Sequence, residues 1–247
     1  LVAVSIACDI VDITGENRVL CYFGLEKINR NPRPGIKHLL DFNRKVTYTI
    51  NELVFTAGPR INAAGRLADA KAAVRLLIEK DEESARQMAS GLNDNNKVRQ
   101  ELDQTITREA MALVESEPNH HTLNSTVVYK ADWHKGVIGI VASRLIEQYY
   151  RPTIVLTQHE GKITGSARSV AGFDIHGAIE QCADYLVQFG GHTHAAGLSL
   201  TEENIFHFRT AFESVVSQNI TEKHKIPFLD IDAELPFAPG DGKFTRV

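Results

Sequence analysis

Hydrophobic and polar positions along the chain change their pattern near Pro118-Asn119-His120-His121. Ahead of that point, residues 1–7 are a short apolar run of small and β-branched side chains, which reads as a buried strand. Turn chemistry follows at Thr14-Gly15-Glu16-Asn17. Residues 19–25 fit a second strand or the start of a helix, and their spacing does not choose. Asn31-Pro32-Arg33-Pro34-Gly35 predicts a loop, 36–42 a short helix, and 68–79 a helix with Ala73, Leu76 and Leu77 on one side. One long helix is predicted from about 81 to 115. Met88, Leu92, Leu102, Ile106 and Leu113 lie on one stripe, but residues 93–97 and 99–101 are polar nearly all round. Apolar ends and a polar centre suit a bridge between two lobes; a single frayed surface helix is the alternative.

Beyond residue 121 the pattern becomes strand, helix, strand. Residues 125–129 read as a strand and Trp133-His134-Lys135-Gly136 as a loop. Val137, Val141, Leu145 and Tyr149 repeat at helical spacing until Arg151-Pro152, and 153–157 is again a strand. That order predicts a parallel crossover unit and an α/β fold class. A third strand is expected over 161–169, a helix over 175–188, a break at Gly190-Gly191-His192, a strand over 197–200 and a closing helix over 204–216. Residues 220–227 read as a linker, and 228–235 alternate like the first strand of a further unit.

Composition narrows the class without naming it. The 247 residues are 43% hydrophobic and 23% charged, which is ordinary for a globular protein. No apolar run reaches the roughly 18 residues needed to span a bilayer. Lys plus Arg number 27 against 31 Asp plus Glu, a net charge of −4 that argues against indiscriminate polyanion binding but permits a local basic groove. Cys8, Cys21 and Cys182 lie far apart, which excludes a cysteine zinc site and a disulfide scaffold. The chain starts at Leu1 and its methionines, Met88 and Met111, are internal, so it reads as a piece of a longer protein.

Candidate chemistry sits in a few short stretches. Asp9 at the end of the first apolar run is either a hard oxygen ligand for Mg²⁺ or Mn²⁺ or a turn cap. Arg60-Ile61-Asn62-Ala63-Ala64-Gly65-Arg66 places two arginines around a small-residue turn, suited to phosphate or to domain packing. In Trp133-His134-Lys135-Gly136 and the following helix start at Gly139, exposed amides, His134 and Lys135 suit a phosphate rim. Trp133 would stack on a base or belong to the core. Gly165-Ser166-Ala167-Arg168-Ser169 offers hydroxyls and a guanidinium to an anion. Gly190-Gly191-His192-Thr193-His194-Ala195-Ala196-Gly197 sets His192 among residues too small to fill a core. The chain has no GxGxxG, P-loop or GxSxG, which excludes dinucleotide, P-loop nucleotide and α/β-hydrolase readings.

These stretches, in this order over residues 1–219, resemble the DHH phosphoesterase superfamily, in its branch of single-stranded-DNA-specific 5′→3′ exonucleases of recombination and repair. The resemblance implies an α/β fold in which residues 1–79 end a DHH catalytic domain and 80–118 form a connector helix. It further implies that 119–219 form a DHH-associated substrate-binding domain with a mixed sheet, and that 220–247 are a linker and the first strand of a truncated OB-like domain. It implies Asp9 as one metal ligand of a two-ion Mn²⁺ or Mg²⁺ site, although Asp12 stands where the family has proline. The Asp-His-His triplet of the family is absent, so the fragment alone is expected to be inactive. Arg60, Asn62, Arg66, His134, Ser166, Arg168, Gly190 and Gly191 fall at phosphate- and substrate-binding positions. His192 falls at the histidine facing the scissile group, the one catalytic assignment. The implied partner is single-stranded DNA with a 5′ end, with a single-strand-binding protein and a helicase as partners of the complete cytoplasmic enzyme and no membrane. The alternatives are a DHH phosphodiesterase acting on short oligonucleotides or cyclic dinucleotides, and a non-catalytic nucleic-acid-binding module.

Overall fold

The computed structural model describes residues 1–9, 11–229 and 231. Its first part is helical: α1 (Val2–Cys8), α2 (Gly15–Arg30), α3 (Pro34–Leu40), the single turn α4 (Ile50–Glu52), α5 (Gly58–Leu67) and α6 (Lys71–Ile78). Two expectations are corrected here. Residues 1–7 are helical, not a strand. The first strand among the described residues starts at Thr126, so an extended run at the N-terminus would have no sheet partner. A helix instead pairs its backbone groups internally, and Ala3, Val4, Ile6 and Ala7 become its buried side. Residues 60–66 are helix rather than turn: the small Ala63 and Ala64 are buried where α5 packs on α7 (Glu82–Glu115) and α1.

Helix α7 runs unbroken for 34 residues. The Asp81 carboxylate caps it, accepting the Ser84 N–H at 2.8 Å. Its start supplies Ala85, Ala89 and Leu92 to a core with Leu39, Leu40, Leu53 and Leu76. Its end supplies Ile106, Ala110 and Val114 to a second core with Trp133, Val137, Val141 and Leu145. Between the two, the inward positions continue at helical spacing as Asn96, Arg99 and Asp103, so the polar centre is turned into the protein rather than to water.

The second part holds a five-stranded sheet in the order β1-β2-β3-β5-β4. The strands are β1 (Thr126–Tyr129), β2 (Thr153–His159), β3 (Lys162–Arg168), β4 (Gln188–His192) and β5 (Ala195–Leu200). Strands β1 and β2 are parallel and joined through α8 (Ile138–Tyr149); the remaining pairs are antiparallel. The expected helix over 175–188 is shorter. Asp174 caps α9 (Ile175–Glu180), a 3₁₀ turn follows at Ala183–Tyr185, and the expected break at Gly190-Gly191-His192 is edge strand β4. Gly191 permits that pairing, because a Cβ there would lie 2.3 Å from the Ala195 carbonyl oxygen. Helix α10 (Ile205–Asn219) buries Phe208, Phe212 and Val216 on one face of the sheet, together with Ile154, Leu156, Ile163 and Leu198. The strand expected over 228–235 falls outside the described residues apart from 228, 229 and 231.

Candidate functional site

Sheet register decides which side chains share a face. Arg168, Ala195 and His192 are partners across β3, β5 and β4, and Ser166, Gly197 and Gly190 form the next such row. Residues directly opposite in an antiparallel pair project to the same side. The intervening Ala167 and Ala196 point the other way, into the core under α10. Helix α8 covers the first face only over β2 and β3. What it leaves open is a floor of Ala195, Gly197 and Gly190, with Ser166 and Arg168 on one side and His192 on the other. Two strand spacings, roughly 10 Å, separate the Arg168 and His192 backbones. Gly190, Gly197 and His192 are exposed. The His192 ring accepts the His194 N–H on Nδ1 at 3.3 Å, which leaves Nε2 for another partner.

Ser166 and Arg168 are held against the start of α8. A Cβ at Gly139 would lie 2.8 Å from Arg168 Nη2 and 3.0 Å from Ser166 Oγ, so only glycine lets the helix terminus approach them. Arg168 Nη1 donates to Ser166 Oγ at 3.0 Å and to the Ala167 carbonyl at 2.8 Å. From the helical part, Arg66 at the end of α5 meets the loop before α8. A Cβ at Gly136 would lie 2.0 Å from the Arg66 carbonyl oxygen, and Arg66 Nη1 donates to the Gly136 carbonyl at 3.3 Å. Burial, and then the nearby Arg66 charge, push the Arg168 guanidinium below its ordinary range. Among the described residues neither arginine has a carboxylate at ion-pair distance. Two cations held close without a counter-ion favour any anion that enters between them.

The other sequence candidates divide. Asn62 lies one helical turn before Arg66 on the same side of α5, and it shares a cleft of about 430 Å³ with Asp9, Cys8 and Ile61. Asp9 follows α1 and is exposed. Arg60 turns away from Arg66: it donates to the Thr56 carbonyl at 2.7 Å and to Asn93 Oδ1 at 3.1 Å, and its guanidinium sits 4.7 Å from the Phe42 ring centre. Those contacts commit it to the helical core. Trp133 is core too, 4% exposed, with Nε1 donating to Glu109 at 2.8 Å, so it presents no face to a base. His134 is half-buried and accepts the Gly136 N–H on Nδ1 at 3.1 Å, shaping the loop that meets Arg66. Among the described residues, no group of three or more His, Cys, Asp and Glu side chains is placed to hold a metal ion. Asp9 alone does not make a two-metal site.

A polar cluster that the sequence reading passed over lies behind Arg66. Asp103, 1% exposed, accepts Arg144 Nη2 at 2.8 Å, Arg99 Nη1 at 3.4 Å and the Thr107 hydroxyl at 3.4 Å. Arg99 Nη2 also donates to Asn96 Oδ1 at 2.9 Å. The signal was in the chain: Asn96, Arg99 and Asp103 occupy the apolar stripe between Leu92 and Ile106, where solvated residues do not belong.

Residues 119–218 match the DHHA1 domain family. A "Single-stranded-DNA-specific exonuclease RecJ" of Bacillus subtilis is 37% identical over 236 residues, covering 94% of this chain and 30% of that protein. The chain belongs to the RecJ family. Solved RecJ structures from Thermus thermophilus, one in complex with Mg²⁺ and one with Mn²⁺, superpose with a TM-score of 0.78 at 30% identity and cover 87% of this chain. They are covered to 33% and 32% of their own lengths. The chain thus spans about a third of the RecJ proteins it matches here, and the residues that line the open floor and its α8 wall belong to its DHHA1 part.

Proposed function

We propose that this chain is the strand-gripping part of a single-stranded-DNA-specific 5′→3′ exonuclease. Residues 1–79 would close a DHH domain, 80–118 connect, and 119–219 bind substrate. Ser166 and Arg168, with Arg66 reaching over from the helical part, hold the 5′-terminal phosphate. The Gly190, Gly197 and Ala195 floor lets the sugar-phosphate backbone lie flat, and His192 on the far side faces the bond to be cut. Bidentate guanidinium donors and a hydroxyl match phosphate oxygens. Asp9 would supply one ligand to a Mg²⁺ or Mn²⁺ site whose other ligands are not among the described residues. The finer partners of such an enzyme, a single-strand-binding protein and a helicase, and its place in the cytoplasm belong to the same proposal. The observation that carries the reading is Gly139, which lets Ser166 and Arg168 lie against the α8 terminus within reach of an uncompensated Arg66.

Anisotropy titrations with 5′-phosphorylated and 5′-hydroxyl oligothymidylates test it. The phosphorylated strand should bind at least tenfold more tightly, and Arg168→Ala should remove most of that preference. Equal affinities in the unmodified chain would overturn the proposal. Degradation of single-stranded DNA by this chain alone in Mn²⁺ would overturn the assignment of Asp9 as one ligand among several.

A further inference from the structure

The Asp103 cluster has no part in the grip just described, yet its charge does not balance. Asp103 is a single buried carboxylate facing Arg99 and Arg144. Arg99 lies in the seam between α7 and α8, its side chain 14% exposed, while the Arg144 side chain is 44% exposed. Arg66 closes the same seam from α5 through Gly136, and Arg168 closes it from β3 through Gly139. Four guanidinium groups therefore surround one carboxylate. Burial, and then the Asp103 charge set against those of Arg66 and Arg144, leave the Arg99 guanidinium below its ordinary range. A structural clamp between α7 and α8 would need one cation for Asp103, not two with further cations behind.

We propose that Asp103, Arg99 and Arg144 are positioning residues that make the grip selective for a doubly charged terminal phosphate over the singly charged phosphodiesters inside a strand. The inference rests on the 5′-phosphate reading and assigns residues that reading does not use. Asp103 fixes both guanidinium groups against α7 and α8, so their field points at the pocket without their side chains filling it. The surplus of three positive charges is best met by a dianion. An internal phosphodiester brings half that charge and carries a further nucleotide that the closed rear of the pocket has no room to admit. The cluster thereby sets the end of the strand as the point from which the grip measures.

Arg99→Gln and Arg144→Gln, each titrated with phosphorylated and hydroxyl oligothymidylates, should cut the preference for the phosphorylated end about fivefold to tenfold. Affinity for the hydroxyl strand should change less than twofold. Arg144→Lys keeps the charge and should retain most of the preference, which covers the case in which a glutamine variant fails to fold. A clamp without an electrostatic role would lower both affinities together, or leave both unchanged, and either result overturns the inference. If the unmodified chain shows no preference, the grip itself is wrong. If it shows one that the glutamine variants and Asp103→Asn keep in full, only the role of this cluster is wrong.

Discussion

Gly136→Ala tests whether the helical part and the sheet part meet as described. A Cβ at 136 would stand 2.0 Å from the Arg66 carbonyl oxygen, 2.9 Å from its carbonyl carbon and 3.2 Å from its Cα. Comfortable non-bonded carbon contacts are about 3.5–4.0 Å, so one backbone must retreat by roughly 1 Å or more. All three atoms are main chain, and no rotamer change relieves the overlap. Overpacking of this kind costs about 1–3 kcal/mol. Alanine restricts the unfolded chain more than glycine does, which offsets about 0.4–1 kcal/mol of that. For a chain of this length the remainder corresponds to a fall in Tm of about 2–8 °C. Differential scanning calorimetry would read it, with Gly190→Ala as the control, since nothing lies within 4 Å of a Cβ at that position. The same variant should lose preference for 5′-phosphorylated DNA, because Arg66 is carried away from Arg168. An unchanged Tm together with an unchanged preference would refute the contact between Arg66 and Gly136.

Gly91 lies exposed inside α7 with nothing within 4 Å of an added Cβ, so Gly91→Ala should raise Tm by about 2–4 °C, in line with roughly 1 kcal/mol of helix propensity, and a lower Tm would contradict the straight course of α7 there. Arg60→Ala removes two hydrogen bonds and a cation–π contact and should cost about 2–3 kcal/mol in urea unfolding while leaving the 5′-phosphate preference intact; loss of that preference would return Arg60 to the binding site. Burial, and for Cys8 then the Asp9 charge, raise the thiols of Cys8 and Cys182 to about 11. Thiolate is then below about 0.1% at neutral pH, so a disulfide reagent should react slowly with the folded chain and faster at each step toward pH 10; immediate labelling of these two at pH 7 would show them more open than described.

How far the sequence carries can be read from particular residues. The long helix from about 81 to 115 and the strand–helix–strand unit through Val137, Val141 and Leu145 were legible, because their apolar spacing runs for many residues and agrees with their caps and breakers. Residues 1–7 misled because every position in a seven-residue apolar run fits a buried strand as well as a buried helix. The choice is made by whether a pairing strand exists, which lies outside the run. Pro59 and Gly65 suggested a turn at 60–66, but proline at a first helical position starts a helix, and the alanines there serve close packing. Two glycines at 190–191 suggested a break; the hairpin partner Ala195-Ala196 uses their missing side chains instead. In the site, the small residues and Ser166, Arg168 and Arg66 stood out by composition. What spacing does not give is direction. Arg60 and Arg66 look equivalent in the sequence, yet six residues along a helix place them on different sides, one in the core and one in the seam.

The unbroken course of α7 has a consequence for how this protein tolerates insertions. Each residue in a helix advances it by about 1.5 Å and turns it by roughly 100°. One residue gained or lost between Leu92 and Ile106 would therefore swing everything downstream about a quarter turn out of phase, prising Gly136 from Arg66 although both remain unaltered. Seven added residues would nearly restore the angle, to within about 20°, and leave only a longer reach. The helix thus acts as a phase-setting shaft, and its residue count between Leu92 and Ile106 is as much a part of the binding geometry as any side chain that touches the strand.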